Sequence, residues 1–343
     1  MKLASDILIK VGIALAAYRP RNKYFVKQLE SIENQTHQNW ICVITCDSPL
    51  EAVFQAPAIQ RFRNHPRFLW FENENRLGCK KNFERAIQLC LKENVQAVAC
   101  SDQDDVWYPE KIALSVKELR KRPALSLVHT DMNVLVMRGS EEVVLPETLW
   151  KIESRGVEHS NPIHFLIRDT ASGAAMLFDA ELARLHSVIP DEFEFHDAWY
   201  AFLAAAYGGV YPIRKPLYAY RQHSRNVLGV TPFKGVFHSE PGNRLKDILL
   251  KCRQKYFLSR GMAVAALRDK VPLPPKAGWI FISPLDLGLG FFVIGIVYSI
   301  GRNRDIPLVR AAWARAIGKL LSIFFSKPDV GFLGQTNNVE RKS

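Results

Sequence analysis

Apolar and polar positions fall into alternating blocks along the first hundred residues. Val11–Ala17 (VGIALAA) is a continuous apolar run, and YFVKQLESIENQ after it repeats its apolar residues at helical spacing. WICVIT (Trp40–Thr45) and RFLWFEN read as the second and third strands. KKNFERAIQLCLKE then sets Phe83, Ala86, Ile87, Cys90 and Leu91 on one helical face, and VQAVACS follows as a fourth strand. Strand and helix in this rhythm predict a parallel α/β sheet. Ligands of such sheets sit outside the carboxyl ends of the strands. Three of those ends carry polar groups, Tyr18-Arg19, Asp47-Ser48 and Asp102–Asp105, so a nucleotide is expected there.

From Ala124 to Val230 the strand-like runs are shorter (LSLVHTDMNVLVM, GAAMLF, VYPIRKPLYAYR), with polar loops and no Gly-rich linker. They are assigned to the same domain, residues 1–235. Residues 236–343 differ in character and are expected to form a basic helical extension. The uncharged run Leu287–Gly301 is 15 residues long, short of the ~20 that cross a bilayer. Beyond it, IPLVRAAWARAIGKLLSIFF predicts a helix with Asp305 as N-cap and Pro307 in the first turn. Val309, Trp313, Ala316, Leu320 and Phe324 fall on one arc, and Arg310, Arg315 and Lys319 on the other. A basic amphipathic helix with tryptophan on its apolar side suits a membrane surface. The same arc would also suit packing on the protein's own core.

Charge sharpens that choice. The chain carries a net +12 over 343 residues, yet residues 251–343 alone hold 15 Lys/Arg against 5 Asp/Glu, leaving the rest near neutral. A basic segment beside a neutral body implies a polyanionic partner for that segment. Its basic residues alternate with long aliphatics rather than exposed aromatics, which favours lipid headgroups over nucleic acid. The six cysteines form no CxxC pair, and Cys42, Cys46, Cys90 and Cys100 lie in apolar runs. They read as reduced, buried thiols rather than a zinc site. No secretory pattern is read in the first residues, so the expected location is cytoplasmic, peripheral on the inner face of the cell membrane.

The candidate chemistry concentrates in VACSDQDDVWYPEK (Val98–Lys111), where Asp102, Asp104 and Asp105 fall within four positions. Like charges repel, so such a cluster at a strand end favours a divalent cation, and hard oxygen ligands suit Mg²⁺ or Mn²⁺. An EF-hand is excluded: its glycine position holds Trp107 and its final glutamate position Ala113. The same strand-terminal DQDDV also fits the Asp-x-Asp pattern of haloacid-dehalogenase-like phosphatases, with Asp102 as nucleophile and Asp104 as acid/base.

Five further segments, taken with this one in order, resemble the family 2 inverting glycosyltransferases. Tyr24 with QLESIENQTHQNW (Gln28–Trp40) looks like that family's signature, and NRLGCKKNF (Asn75–Phe83) resembles its Asn-x-x-Gly-x-x-x-Asn segment. SDQDDVWYPEK is similar to the DQDDxWxPxK form of its rhamnosyltransferase-like members. SGAAMLF (Ser172–Phe178), HDAWY (His196–Tyr200) and PLYAYRQHSRNVLG (Pro216–Gly229) follow in the family's order. The resemblance spans roughly residues 9 to 230.

It implies a GT-A fold and transfer of a sugar, with inversion, from a nucleoside diphosphate sugar to a hydroxyl of a glycan or lipid-linked acceptor in cell-surface polysaccharide synthesis. By that pattern Asp104 is the direct metal ligand, Asp102 contacts the ribose or a bound water and counts with Asp104 and His223 among the metal-site residues, and Asp197 is the general base. His223 reads as a further metal ligand or a contact to the diphosphate, and Arg221 as a diphosphate contact. Ala17, Tyr18, Arg19, Asp47, Asn75, Gly78, Asn82, Gln103 and Gly173 complete the donor site, Gly173 by letting the backbone approach the sugar. Asp105 reads instead as the cap of the helix beginning at Pro109 and Lys111. His196 is equally a structural neighbour of Asp197 and a catalytic group. The chain departs from the pattern at Ala17-Tyr18-Arg19, usually Thr-Tyr-Asn, and at Cys46-Asp47-Ser48-Pro49, usually Asp-Asp-Gly-Ser. Both departures lie at the nucleobase end, and they leave open a non-catalytic, membrane-bound scaffold homologue.

Overall fold

The computed structural model describes residues 9–223, apart from 140, 154, 157–161, 163–164, 166–169 and 192. The boundary at 235, the Leu287–Gly301 run and the basic amphipathic segment lie outside the described residues. Among the described residues, no helix is long and apolar enough to cross a membrane.

Each apolar run of the N-terminal half forms the expected element: β1 (Val11–Ala17), α1 (Asn22–Glu33), β2 (Trp40–Cys46), α2 (Leu50–Phe54), α3 (Pro57–Arg63), β3 (Phe68–Glu72), α4 (Cys79–Lys92) and β4 (Ala97–Ser101). Only the short helices α2 and α3 had no counterpart in the periodicity. β1, β2 and β4 are buried almost throughout. They read as unbroken apolar runs because both faces of the sheet are covered. On one face Ile13, Leu15 and Ala17 share a core with Phe25, Leu29 and Ile32 of α1. On the other, Ala14 and Val98 share one with Phe83, Ile87 and Cys90 of α4. Each large apolar side chain buried in this way contributes about 1.5–3 kcal/mol.

The strict parallel order does not continue past β4. Next come β5 (Val106–Trp107), α5 (Lys111–Leu119), β6 (Leu127–Arg138), β7 (Glu141–Thr148), α6 (Leu149–Glu153), β8 (Met176–Asp179) and β9 (Val210–Arg221). Helices Ala180–Leu185 and His196–Ala206 lie between β8 and β9. The sheet order is β3-β2-β1-β4-β8-β6-β9-β5, with β7 on β6. β3, β2, β1 and β4 are mutually parallel, whereas β8 runs antiparallel to both β4 and β6. The sheet is therefore mixed. An antiparallel strand begins at the edge where its parallel neighbour ends, so Ser172-Gly173, just before β8, arrive beside the carboxyl end of β4. β9 ends with Arg221 beside β5, where Ala219 pairs with Val106. This mixture brings late segments of the chain to the early strand ends.

Candidate active site

β1 is flanked by β2 on one side and β4 on the other. The crevice outside the ends of β1 and β4 is thus a topological switch point, where open α/β sheets bind ligands. Tyr18-Arg19 and Asp102–Asp105 form its two lips. Gln103 ties the lips together: its Oε1 accepts from the Tyr18 N–H at 2.8 Å, and its Nε2 donates to the Tyr18 carbonyl at 3.3 Å. Arg19 sits at φ +41°, a left-handed conformation that costs a side-chain-bearing residue on the order of 1–2 kcal/mol. Its N–H is held by Ser48 Oγ at 3.2 Å. The guanidinium of Arg76 lies 4.3 Å from the centre of the Tyr18 ring and that of Arg19 5.3 Å from it.

The acidic loop is fixed from below by α1. Gln28, Ser31 and Gln35 recur at i, i+3 and i+7, and all are buried. With the Gln28 amide oriented to satisfy both its ends, its nitrogen donates to the Asp105 carbonyl at 2.7 Å and its oxygen accepts from Ser101 Oγ at 2.7 Å. Ser31 Oγ accepts from the Trp107 N–H at 3.0 Å. Gln35 donates to the Tyr108 carbonyl at 2.9 Å and accepts from the Ile112 N–H at 3.0 Å. Buried main-chain groups need such partners, and polar residues on the otherwise apolar buried face of α1, with Gln35 just past its end, supply them here. These three residues belong to the site's architecture, and their buried-face spacing was the signal that could have found them.

Asp105 is not a helix cap. α5 begins at Lys111 after Glu110, without a side-chain cap, and Asp105 is 0% exposed. Its Oδ1 accepts from the Arg221 N–H at 3.1 Å. Burial, with Asp102 and Asp104 nearby, pushes its carboxyl well up. The Arg221 side chain is 1% exposed. Its Nε donates to the Asp104 carbonyl at 2.7 Å, and its guanidinium lies 4.2 Å from the centre of the Tyr24 ring. Asp104 Oδ2 and His223 Nε2 are 2.6 Å apart. The His223 ring stacks on Tyr24 with centroids 5.8 Å apart. Asp102, pushed up to about 7, is raised first by burial and then by the charges of Asp104 and Asp197. Lys111, beneath the loop, is buried with its Nζ 4.1 Å from the Trp107 ring centre, and burial pushes it down to about 7.

At the other lip Asp47 organises the loop after β3. Its Oδ1 accepts from Asn73 Nδ2 at 2.6 Å and from the Leu77 N–H at 3.0 Å, and its Oδ2 accepts from the Gly78 N–H at 2.8 Å. Gly78, at φ +79°, makes the left-handed turn into α4. Asn82 is buried in the first turn of α4, where Nδ2 donates to the carbonyls of Ala17 and Thr45, each at 3.2 Å. It thereby pins the ends of β1 and β2. Asn75 is exposed on the same loop. Cys79, the first residue of α4, is the one exposed thiol among the described residues. Partial burial of its sulfur, then the charges of Asp102, Asp197 and Asp47, push it up to about 12.

Asp197 lies in the first turn of helix His196–Ala206. Its Oδ2 accepts from the Gly173 N–H at 3.1 Å, and its Oδ1 from the Ala198 N–H at 2.8 Å. Packing alone also requires glycine at 173: an added Cβ would stand 2.5 Å from His196 Nε2. His196 stacks on Phe83 with centroids 3.8 Å apart, and burial pushes its pKa down to about 3. It is a buried, stacked ring adjacent in sequence to Asp197.

Among the described residues, no group of three or more His, Cys, Asp and Glu side chains is gathered to hold a metal ion. The available donor pair is Asp104 with His223, beside Asp102. Mg²⁺-type sites take only one or two protein carboxylates and complete their shell with substrate phosphates and water. The pair fits a partial site of that kind.

The mixed α/β sheet matches the fold of the GT-A glycosyltransferases. Residues 13–177 match the family model described as Glycosyl transferase family 2. A portion of TarS from S. aureus, residues 1–349, superimposes with a TM-score of 0.50 at 13% identity, covering 92% of this chain and 80% of that one. An uncharacterized glycosyltransferase of Methanocaldococcus jannaschii is 23% identical over 118 residues, covering 34% of this chain and 40% of the relative's length.

Proposed function

We propose that the protein transfers a sugar from a nucleoside diphosphate sugar to a hydroxyl of a glycan or lipid-linked acceptor, with inversion and with Mn²⁺ or Mg²⁺ bound. The observation that carries this reading is geometric: the Asp102–Asp105 loop leaves the end of β4, and antiparallel β8 delivers beside that end the Gly173 N–H that holds Asp197 at 3.1 Å. Asp104 and His223 would hold the ion, which supplies charge stabilisation for the departing diphosphate. The lip of Tyr18, Arg19 and Asp47 would receive the nucleobase, and Gln103 keeps it in register with the metal end. Asp197 would accept the proton of the attacking hydroxyl. Its two main-chain donors fix the carboxylate in one orientation before substrate arrives. The DQDDxW form favours a deoxysugar donor such as dTDP-rhamnose. The basic segment after residue 250 would bring the enzyme to the cytoplasmic face of a membrane, where lipid-linked acceptors of cell-surface polysaccharide are built.

The test is turnover of a panel of nucleotide sugars by the full chain with Mn²⁺. Asp104→Ala is expected to lose metal-dependent nucleotide binding. Asp197→Asn should keep that binding and lose about 10²–10⁴-fold in transfer rate, the usual contribution of a general base. If the wild type consumes no donor, or neither variant loses activity, the reading is wrong.

A further inference from the structure

We propose that Glu142, on β7, is a positioning residue for the Asp104–His223 pair and acts through Arg221. The inference rests on the reading of that pair as the diphosphate and metal end of the site. Arg221 is charged and buried, and a buried charge needs a partner of opposite sign. Oδ1 of Asp105 accepts from the main-chain N–H of Arg221. Glu142 Oε1 stands 2.9 Å from Nη1 of Arg221 and forms an ion pair with its guanidinium. Glu142 Oε2 is in turn held by Lys27 of α1 at 2.8 Å. The chain of contacts runs Lys27, Glu142, Arg221, and from Arg221 Nε to the Asp104 carbonyl at 2.7 Å. Tyr24 lies under both the Arg221 guanidinium and the His223 ring. Release of the guanidinium would therefore free the main chain at Asp104 and the stack beneath His223 together. Glu142 touches no reacting group; its effect is to hold the guanidinium in the one place from which it reaches Asp104.

Hydrogen exchange on the full-length protein tests this without any ligand. Glu142→Ala is expected to speed exchange at least about tenfold in residues 102–108 and at Arg221, Glu142→Gln by about threefold because it keeps an acceptor, and neither variant should alter Val11–Ala17. Lys27→Met, which leaves the Glu142–Arg221 pair in place, should leave the loop as it is. Unchanged exchange in 102–108, or acceleration spread equally over β1, overturns the proposal. Calorimetry with Mn²⁺ and UDP, GDP or dTDP is the second readout, and Glu142→Ala should weaken binding of whichever diphosphate the wild type takes. A wild type that binds none of them defeats the sugar-transfer reading, while the exchange result still decides the role of Glu142.

Discussion

The main-chain N–H of Gly173 donates to Oδ2 of Asp197, and the ring of His196 fills the volume a side chain at 173 would need. Gly173→Ala would put a methyl 2.5 Å from His196 Nε2 and 2.9 Å from its Cε1. That ring cannot retreat, because Phe83 is stacked against it. The helix carrying Asp197 must therefore shift. Overpacking of this kind costs about 1–3 kcal/mol, whereas misplacement of a reacting group by about 1 Å can cost on the order of 100-fold in rate. Transfer activity is expected to fall far more than stability, as initial rates compared with thermal unfolding would show. A variant that unfolds early yet keeps its specific activity would contradict this.

The polar residues on and just past α1 make a different demand, on stability first. Gln35 joins the Tyr108 carbonyl and the Ile112 N–H to the end of α1. Gln35→Leu keeps the volume and removes these bonds and the one Gln35 donates to the Ser31 carbonyl. The Tyr108 carbonyl keeps the Lys111 N–H, but the buried Ile112 N–H loses its acceptor at about 1–3 kcal/mol. Ser31→Ala removes the acceptor for the Trp107 N–H and is expected to cost about 1 kcal/mol. Urea unfolding of the two variants should rank them in that order. Metal-dependent nucleotide binding should weaken in step, because the acidic loop is the element released.

What was legible in the sequence follows from how local each signal is. β1, β2 and β4 could be read because strands covered on both faces are apolar at every position. The carboxylates at the end of β4 could be read because they interrupt such a run. Pairing direction is not a local property, so β8 gave no sign that it would enter antiparallel and deliver Gly173 to the crevice. Asp105 lies just ahead of a helix and resembles a cap by spacing, but its partner, Arg221, is remote in the chain. Glu142 on β7 was invisible for the same reason. Gln28 and Ser31 were legible as helix and overlooked as function, since polar residues on a buried face invite the question of what they bind.

Asp102 makes the metal-free protein sensitive to pH. Its carboxyl is pushed up to about 7 by burial and by Asp104 and Asp197, while an aspartate in the unfolded chain titrates near about 3.9. Across that window the folded state holds more protons than the unfolded one, so this group's contribution to stability falls as pH rises. Two groups act in the opposite sense. His196, pushed down to about 3, and Lys111, pushed down to about 7, each favour the folded state as pH rises towards their unfolded values. Asp105, raised partly by Asp102 itself, acts in the same sense as Asp102. The wild-type curve therefore mixes all four, and the difference from Asp102→Asn isolates Asp102 together with its coupling to Asp105. Without metal, the variant is expected to be more stable than the wild type at pH 8, with the advantage shrinking towards pH 5, by denaturant unfolding at each pH. Mn²⁺ with a nucleoside diphosphate should reverse the order, because a bound cation favours the charged carboxylate that the variant lacks. A difference that stays constant from pH 5 to pH 8 would show that Asp102 does not carry the raised proton affinity.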